Sequence, residues 1–233
     1  MKRAIESLLP LEKDLFFALN GSDSVLLDNI MWTLSGRFVW IPLFLFIIFV
    51  FFYKAPRKLG LLVTLILILL FVASDQVSSS LFKPMFERFR PTHHPDFMDQ
   101  VDILNGYRGG RYGFISGHAT NSFGLTVFLS LLFKYRWFTA IALFWATLNS
   151  YTRIYLRVHF ISDIIAGVIV GSLLAIIFYS VLILVKKPLF QNTYDISNKA
   201  IYSSDNGRIL SIFILIYIIM IVCFSSVLST LPH

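Results

Sequence analysis

Three short clusters of cationic, histidine and acidic residues lie between residues 83 and 163. The first runs from Lys83 to Pro91 and places Lys83 and Arg90 seven residues apart, so a helix would direct both side chains to one side. Pro91 disfavours a helical conformation at Arg90. On its own this cluster suits either an anion-binding site or a basic contact with lipid headgroups.

The second cluster is the tripeptide Ser116-Gly117-His118, which precedes a long apolar run. A glycine-containing turn that leads into a helix presents free backbone N–H groups and the positive end of the helix dipole, an arrangement that binds phosphate. The alternative is an ordinary helix start, with Ser116 as the N-cap and His118 as an interfacial polar residue.

The third cluster runs from Arg153 to Asp163 and contains His159. His159 and Asp163 are four residues apart, so on a helix the carboxylate would accept a hydrogen bond from one imidazole nitrogen. Such an aspartate fixes the tautomer and leaves the other nitrogen with a lone pair for attack or proton transfer. A buried structural His–Asp pair is the alternative.

Together, the clusters supply the parts of a phosphoryl-transfer site. Lys83, Arg90 and Arg153, with a helix N-terminus, would bind a tetrahedral dianion. His118 and His159 would provide an acid and a nucleophile. Because phosphoryl transfer requires little beyond positioning and stabilisation of charge, this set is sufficient for it.

The order and spacing of these residues resemble the three-part signature of the type 2 phosphatidic acid phosphatase superfamily, which includes membrane lipid phosphatases and, more distantly, vanadium-dependent haloperoxidases. The matching segments are Lys83-x6-Arg90-Pro91, Ser116-Gly117-His118 and Arg153-x5-His159-x3-Asp163. Ile115 and Thr152 depart from the usual pattern, because the family has proline and serine at these positions. Neither change removes a charged group, so we expect altered stiffness of a turn rather than loss of activity.

The resemblance implies a role for each motif residue. His159 would be the nucleophile that forms a phosphohistidine, Asp163 would orient it, and His118 would protonate the leaving oxygen and then activate water. The phosphoryl oxygens would be bound by the remaining motif groups, namely Lys83, Arg90, Arg153, Ser116 and Gly117. The resemblance implies no cofactor and no metal, because side-chain cations take the role of a divalent ion.

Residues between the motifs offer further contacts. Arg108 and Arg111 are candidates to bind a second anionic group of the substrate headgroup. The segment 92–102 contains metal-ligating residue types, but its spacing matches no closed site and Pro95 prevents a helical arrangement of ligands. We therefore predict a solvated loop at the entrance of the site rather than a metal centre.

The composition is that of a membrane protein. Of the 233 residues, 57% are apolar and 14% are charged, and the mean hydropathy is +0.74, whereas a soluble domain is about 45–50% apolar and about 25% charged. The net charge of +7 lies mostly in short segments between apolar runs. This distribution favours the lipid bilayer over nucleic acid as a partner.

The predicted fold class is all-α, a bundle of six transmembrane helices preceded by an interfacial amphipathic helix. A spanning helix needs about 20 mostly apolar residues. The six runs are Phe38–Tyr53, Leu59–Ala73, Ala119–Phe133, Trp137–Tyr151, Ile161–Val185 and Ile209–Leu231. Residues 4–19 have leucines at helical spacing and a polar opposite face, which is typical of an interfacial helix. We therefore divide the chain into an interfacial segment, 1–36, and a transmembrane phosphatase domain, 37–233.

Basic residues in the short loops predict the orientation. Nine of them lie in 54–58, 134–136 and 186–208, which share one side of the bundle and should face the cytoplasm. Five basic residues in the opposite loop, 82–118, break this rule unless they bind a substrate. Residues 1–24 lack an apolar stretch, so no cleavable signal peptide is predicted. Taking the compact chain as bacterial, we expect a multi-pass inner-membrane protein whose active site faces the periplasm.

A site at the boundary of membrane and water favours a lipid substrate. The resemblance points to lipid A phosphates, undecaprenyl pyrophosphate or phosphatidylglycerol phosphate, and the extra basic residues favour the first two. The alternatives are a phosphatidylglycerol phosphate phosphatase and a non-catalytic protein that binds or transports lipid phosphates. A haloperoxidase is a further alternative, but those relatives are soluble and the hydropathy argues against it.

Overall fold

The structure, a computed structural model, describes residues 5–19, 22–189 and 200–231, and the regular elements in these ranges are helical. The main helices are α1 Leu9–Leu19, α2 Val25–Ser35, α3 Ile41–Phe52, α4 Arg57–Asp75, α5 Gly117–Phe133, α6 Arg136–Tyr155, α7 Ile161–Leu189 and α8 Ser204–Cys223. An isolated antiparallel bridge joins Phe89 to Tyr112 in the loop between α4 and α5. The predicted all-α class is confirmed.

Each of the six predicted transmembrane runs overlaps one of the helices α3 to α8, although the sixth run continues past the end of α8 at Cys223. Within the described residues, three helical stretches are long and apolar enough to cross a membrane, namely Arg57–Phe86, Ile161–Lys186 and Ser204–Cys223. The pair Val25–Ser35 and Phe38–Phe52, bent by 69°, is a fourth candidate. Helix α5 is only 17 residues long, and α6 carries Arg136, Asn149 and Arg153. The bundle of six spans therefore stays a prediction.

The outer faces of the long helices are apolar. On α7, for example, Ile165, Ile169, Leu173 and Ile176 follow one another at helical spacing and are each about half exposed. A continuous apolar stripe of this length is unusual on a soluble monomer. It suits contact with lipid chains.

Helices α5 and α7 pack closely because two glycines of α7 face α5. A Cβ atom at Gly171 would lie 2.2 Å from the carbonyl oxygen of Thr120, and one at Gly167 would lie 2.8 Å from that of Ser116. Small residues at such positions let helix backbones approach each other in a membrane. The start of α5 is thereby held against the first turn of α7, where the Ser116 N–H donates to the carbonyl oxygen of Asp163 at 3.0 Å.

The end of α4 changes its geometry before the loop begins. Residues Gln76–Phe82 form a π-helical segment and Lys83–Phe86 a last α-helical turn. Glu87 then adopts a left-handed conformation, with φ of 45°. Arg90 is consequently extended, so the helical alignment of Lys83 with Arg90 that the spacing would allow does not occur.

Helix α1 covers most of the predicted interfacial helix at 4–19, and residues 1–4, 20 and 21 of segment 1–36 lie outside the described residues. Leu11, Leu15 and Leu19 are exposed, Leu11 by 80%, whereas Leu9 is partly buried and Glu12 and Phe16 are buried. An interfacial position for α1 stays a prediction. The burial of Glu12 differs from the expectation that the polar face of this helix is exposed. Of the predicted polar connection 186–208, residues 190–199 lie outside the described residues.

Candidate active site

The three clusters identified in the sequence meet at one cavity of about 610 Å³. Its wall includes most of the predicted site, namely Lys83, Arg90, Gly117, His118, Arg153 and His159. Asp163 is fully buried and lies directly behind His159. The cavity wall therefore combines the three predicted cations and the two histidines with a fourth cation, Arg37, from the connection between α2 and α3.

His159 lies between Asp163 and Arg90. Its Nδ1 is 3.2 Å from Oδ2 of Asp163, and its Nε2 is 2.9 Å from Nη1 of Arg90. Because an ionised carboxylate only accepts and a guanidinium only donates, Nδ1 carries the proton and Nε2 holds the lone pair. The expected His–Asp contact is present, although His159 precedes α7 and Asp163 lies in its first turn.

The surroundings of His159 keep it neutral. Burial, followed by the charges of Arg90, Arg153 and Lys83, lowers the pKa of His159 well below its ordinary value of 6.5. Burial, followed by the charge of Arg153, also lowers the pKa of Arg90 to about 10, so Arg90 remains a cation at neutral pH. The site thus combines a neutral imidazole with permanent positive charge.

Asp163 has a second partner that the sequence reasoning missed. Arg88 is completely buried and donates from Nη1 to Oδ1 of Asp163 at 2.9 Å and from Nη2 to Oε1 of Glu12. The other oxygen of Glu12 accepts from the backbone N–H of Ser162, in the first turn of α7, at 3.0 Å. Helix α1 is therefore linked through one guanidinium to the carboxylate that orients His159.

Arg153 and His118 share a partner at the end of α2, which the sequence reasoning also missed. Arg153 donates from Nη1 to Oγ of Ser35 and from Nη2 to the hydroxyl of Tyr107 at 2.9 Å. The carbonyl oxygen of Ser35 lies 3.3 Å from Nε2 of His118, and since a carbonyl only accepts, this nitrogen carries a proton. A single serine or tyrosine has no sequence pattern that would identify it.

The remaining phosphate-binding candidates differ in position. Lys83 donates to Oγ of Ser79, in the π-helical segment, at 3.2 Å. The Ser116 side chain is fully buried and caps α5 by accepting from the N–H of Ala119 at 3.4 Å, so its hydroxyl is not part of the cavity wall. Gly117 is part of that wall.

Arg108 and Arg111, the candidates for a second anionic group, are exposed and outside the cavity wall. Arg108 donates to the carbonyl oxygen of Thr92 at 3.1 Å, and the guanidinium of Arg111 lies 5.2 Å from the ring centroid of Phe89. Neither residue lines the cavity with His118 and His159.

The loop with metal-ligating residue types is held by contacts of its own. His94 is buried, stacks on Phe97 with ring centroids 4.3 Å apart, and faces Oε2 of Glu6 at 3.6 Å. Asp102 pairs with Arg157 at 3.2 Å. Over the part of the chain that the structure describes, no three His, Cys, Asp or Glu side chains cluster as metal ligands would.

The comparisons with known proteins identify the family of the chain. A family model for the PAP2 superfamily matches residues 58–187, which contain all three motifs, and the chain belongs to this superfamily. A lipid A 4'-phosphatase of Porphyromonas gingivalis is 37% identical over 97% of this chain and 95% of its own length.

Two further relatives are similar over shorter stretches. A lipid A 4'-phosphatase of Bacteroides thetaiotaomicron is 36% identical over 75% of this chain and 78% of its own length. An undecaprenyl-diphosphatase of Sulfolobus acidocaldarius is 29% identical over 68% of this chain and 72% of its own length. No solved structure matches the chain.

Proposed function

We propose that this protein is a membrane lipid phosphatase that hydrolyses a phosphate monoester of lipid A through a phosphohistidine at His159. The observation that carries the proposal is the position of His159, with Asp163 on Nδ1, a cation on Nε2, and Lys83 and Arg153 on the same cavity wall. The names of the two bacterial relatives that are 36–37% identical support lipid A as the substrate.

In the first step, the phosphoryl oxygens take over the donors of Lys83, Arg90 and Arg153. Arg90 moves its hydrogen bond from Nε2 of His159 to a phosphoryl oxygen, which frees the lone pair. Nε2 attacks phosphorus, the bond from phosphorus to the lipid oxygen breaks, and His118 donates a proton to that oxygen. Asp163 stabilises the positive charge that develops on the imidazole.

In the second step, His118 accepts a proton from water as the water oxygen attacks phosphorus. The phosphorus–nitrogen bond breaks, inorganic phosphate forms, and His159 returns to its neutral state. The charge that develops on the phosphoryl oxygens is stabilised by side-chain cations throughout. The proposal therefore contains no metal and no cofactor.

The membrane arrangement is part of the proposal. We place six spans in the inner membrane, with the site at the periplasmic face. The turns that contain Lys54 and Lys134 lie at the opposite ends of α4, α5 and α6 from the site, as a cytoplasmic position of these basic turns requires. Segment 1–36 contributes Glu12 and Ser35 to the site, so we propose that it acts as one unit with domain 37–233.

Purified protein and a panel of three lipids test the proposal. Lipid A, undecaprenyl pyrophosphate and phosphatidylglycerol phosphate are supplied in detergent micelles, and released phosphate is measured. We expect phosphate from lipid A, and none with a His159→Ala variant that still folds. Turnover of undecaprenyl pyrophosphate alone, which the archaeal relative supports, or of phosphatidylglycerol phosphate alone, would show that the substrate is wrong. No turnover of any lipid would favour a binding or transport protein.

A further inference from the structure

The cavity wall contains one cation that the proposed chemistry does not use. Arg37 lies in the connection between α2 and α3, directly before the short 3-10 helix Phe38–Trp40, and it lines the cavity. The residue is exposed. It lies outside the three motifs, so the proposed reaction gives it no role.

Arg37 differs from the other cations of the wall in its contacts. Lys83, Arg90 and Arg153 each donate at least one hydrogen bond to another group of the protein, at 3.2, 2.9 and 2.9 Å. Among the residues that the structure describes, no hydrogen-bond acceptor and no carboxylate pairs with the guanidinium of Arg37. Its donors are therefore available to a ligand.

The position of Arg37 in the chain places it beside the leaving group. Arg37 follows Ser35 by two residues, so their Cα atoms are at most about 7 Å apart. The carbonyl oxygen of Ser35 lies 3.3 Å from Nε2 of His118. Because His118 protonates the leaving oxygen in the proposed mechanism, the part of the lipid that leaves must lie at this end of the cavity.

The charge of Arg37 also acts inside the cavity. Tyr107 lines the wall, and its hydroxyl accepts from Arg153 at 2.9 Å. Burial raises the pKa of Tyr107, but nearby positive charges, among them those of Arg153 and Arg37, lower it below the ordinary value of 10.0. The guanidinium of Arg37 thus lies close enough to influence a group that contacts the phosphate-binding cations.

A fourth cation suits a second anionic group. Three cations and a helix N-terminus already suffice to bind one tetrahedral dianion, and the exposed Arg108 and Arg111 do not line the cavity. The planar guanidinium of arginine matches two oxygens of a phosphate group. Lipid A offers such a group, since its disaccharide carries a phosphate at each end and one of them stays on the leaving part.

We infer that Arg37 binds a second phosphate on the leaving part of the lipid, so that the site prefers a bisphosphorylated lipid to the matching monophosphate. The guanidinium donates two N–H groups to oxygens of this phosphate. The inference rests on the proposed function, and it adds the headgroup feature by which the site recognises its lipid.

The test compares synthetic lipid A that carries both phosphates with the two synthetic forms that carry one. The monophosphate that wild-type protein hydrolyses is the reference, because it presents the same scissile group without the second phosphate. All lipids are supplied in micelles of a non-ionic detergent. The variants are Arg37→Gln and Arg37→Lys. Arg111→Gln is the matched control, because Arg111 is also an exposed arginine but does not line the cavity.

We expect the wild-type kcat/KM to be about tenfold higher for the bisphosphate than for the reference, as one charge-assisted contact provides. Arg37→Gln should remove this advantage, mainly through KM, and leave the reference lipid unchanged. Arg37→Lys should retain part of the advantage, because an ammonium group keeps the charge without the paired donors. Arg111→Gln should change neither lipid.

Equal wild-type kcat/KM for the bisphosphate and the reference would overturn the inference. An equal loss on both lipids in Arg37→Gln would also overturn it, because Arg37 would then bind the scissile phosphate or support the structure.

A second arm separates the substrate from the surrounding membrane as the source of the phosphate. The assay is repeated with phosphatidylglycerol added to the micelles. If Arg37→Gln loses activity only with this lipid present, and equally on both substrates, Arg37 contacts bulk anionic lipid and the inference is wrong. Failure of the proposed function has a different signature, because wild-type protein would then release no phosphate from any form of lipid A.

Discussion

Glu12 and Arg88 form a buried ion pair behind Asp163, although 76 residues separate them in the chain. The fully buried Arg88 pairs with the carboxylates of both Glu12 and Asp163. Glu12 also accepts a hydrogen bond from the backbone N–H of Ser162, in the first turn of α7. A single buried guanidinium that compensates two carboxylates holds each of them in a defined place. A chain of contacts therefore joins Glu12 of α1 to His159 through Arg88 and Asp163.

The first prediction concerns Glu12 as a positioning residue. Glu12→Ala removes the acceptor for the Ser162 N–H and one counterion of Arg88, so Asp163 loses its fixed orientation. We expect kcat to fall by about tenfold, equivalent to about 1.4 kcal/mol, with KM nearly unchanged. Glu12→Gln retains an acceptor and should recover part of the rate. These values are measured by steady-state phosphate release.

Asp14→Ala is the control for this prediction, because Asp14 lies on the same helix and is exposed. A wild-type kcat in Glu12→Ala, or an equal loss in Asp14→Ala, would contradict the positioning role.

The second prediction concerns the acid limb of the pH profile. His159 must be neutral to attack, and its lowered pKa keeps it neutral to a lower pH than an ordinary histidine, whose pKa is 6.5. The acid limb of kcat/KM, which reports the free enzyme, should therefore lie below pH 6.5. Lys83→Met removes a nearby cation, so the pKa of His159 should rise and the limb should move to higher pH.

Titration of the substrate cannot explain a shift of the acid limb between the wild type and Lys83→Met, because both enzymes are measured with the same lipid. Arg111→Met, at an exposed arginine outside the cavity, should leave the limb in place. If the acid limb of Lys83→Met stays at the wild-type pH, this limb does not report the titration of His159.

The third prediction concerns the glycine that packs against Arg90. Gly109 has φ of +66°, and a Cβ atom there would lie 3.2 Å from Cζ of Arg90. Gly109→Ala should displace the guanidinium and raise KM several-fold, because Arg90 would bind the phosphoryl group less well. Gly106→Ala is a close control, since Gly106 has φ of +69° but open space around it.

Both alanine variants carry the strain of a left-handed residue, roughly 1 kcal/mol. The contact with Arg90 occurs only at Gly109. Equal effects of the two substitutions on KM would show that backbone strain, and not the position of Arg90, is responsible.

The sequence predicted the charged and histidine residues that line the cavity better than it predicted the residues that hold them in place. Lys83, Arg90, Arg153 and the two histidines were found because each belongs to a short local pattern of unusual residue types. Glu12 and Arg88 were missed because their partners are distant in sequence. In the sequence, Glu12 is one of several charged residues on the polar face of an amphipathic helix, and Arg88 is one of five basic residues in a loop. Neither pattern distinguishes the residue from its neighbours.

The helices could be predicted from the apolar runs because an apolar run, like a motif, is a pattern of residues that are close in sequence. The number of spans stays a prediction, because α6 carries Asn149 and Arg153, which lower its hydropathy while they line the cavity. The polar atoms that make this helix useful to the site are those that make it a poor transmembrane segment by composition. The bend of 69° between Val25–Ser35 and Phe38–Phe52 falls at Gly36, which is extended, and the apolar pattern alone does not predict it.

The most direct test of the account is the detection of the covalent intermediate. Enzyme mixed with a radiolabelled phosphate monoester is quenched in milliseconds, and the acid-labile protein-bound phosphate is measured and mapped by mass spectrometry. We predict phosphate on His159, none in His159→Ala, and accumulation in His118→Ala with an activated 4-nitrophenyl ester, whose leaving group needs no proton. Label on another residue, or full phosphate release by His159→Ala, would contradict the account.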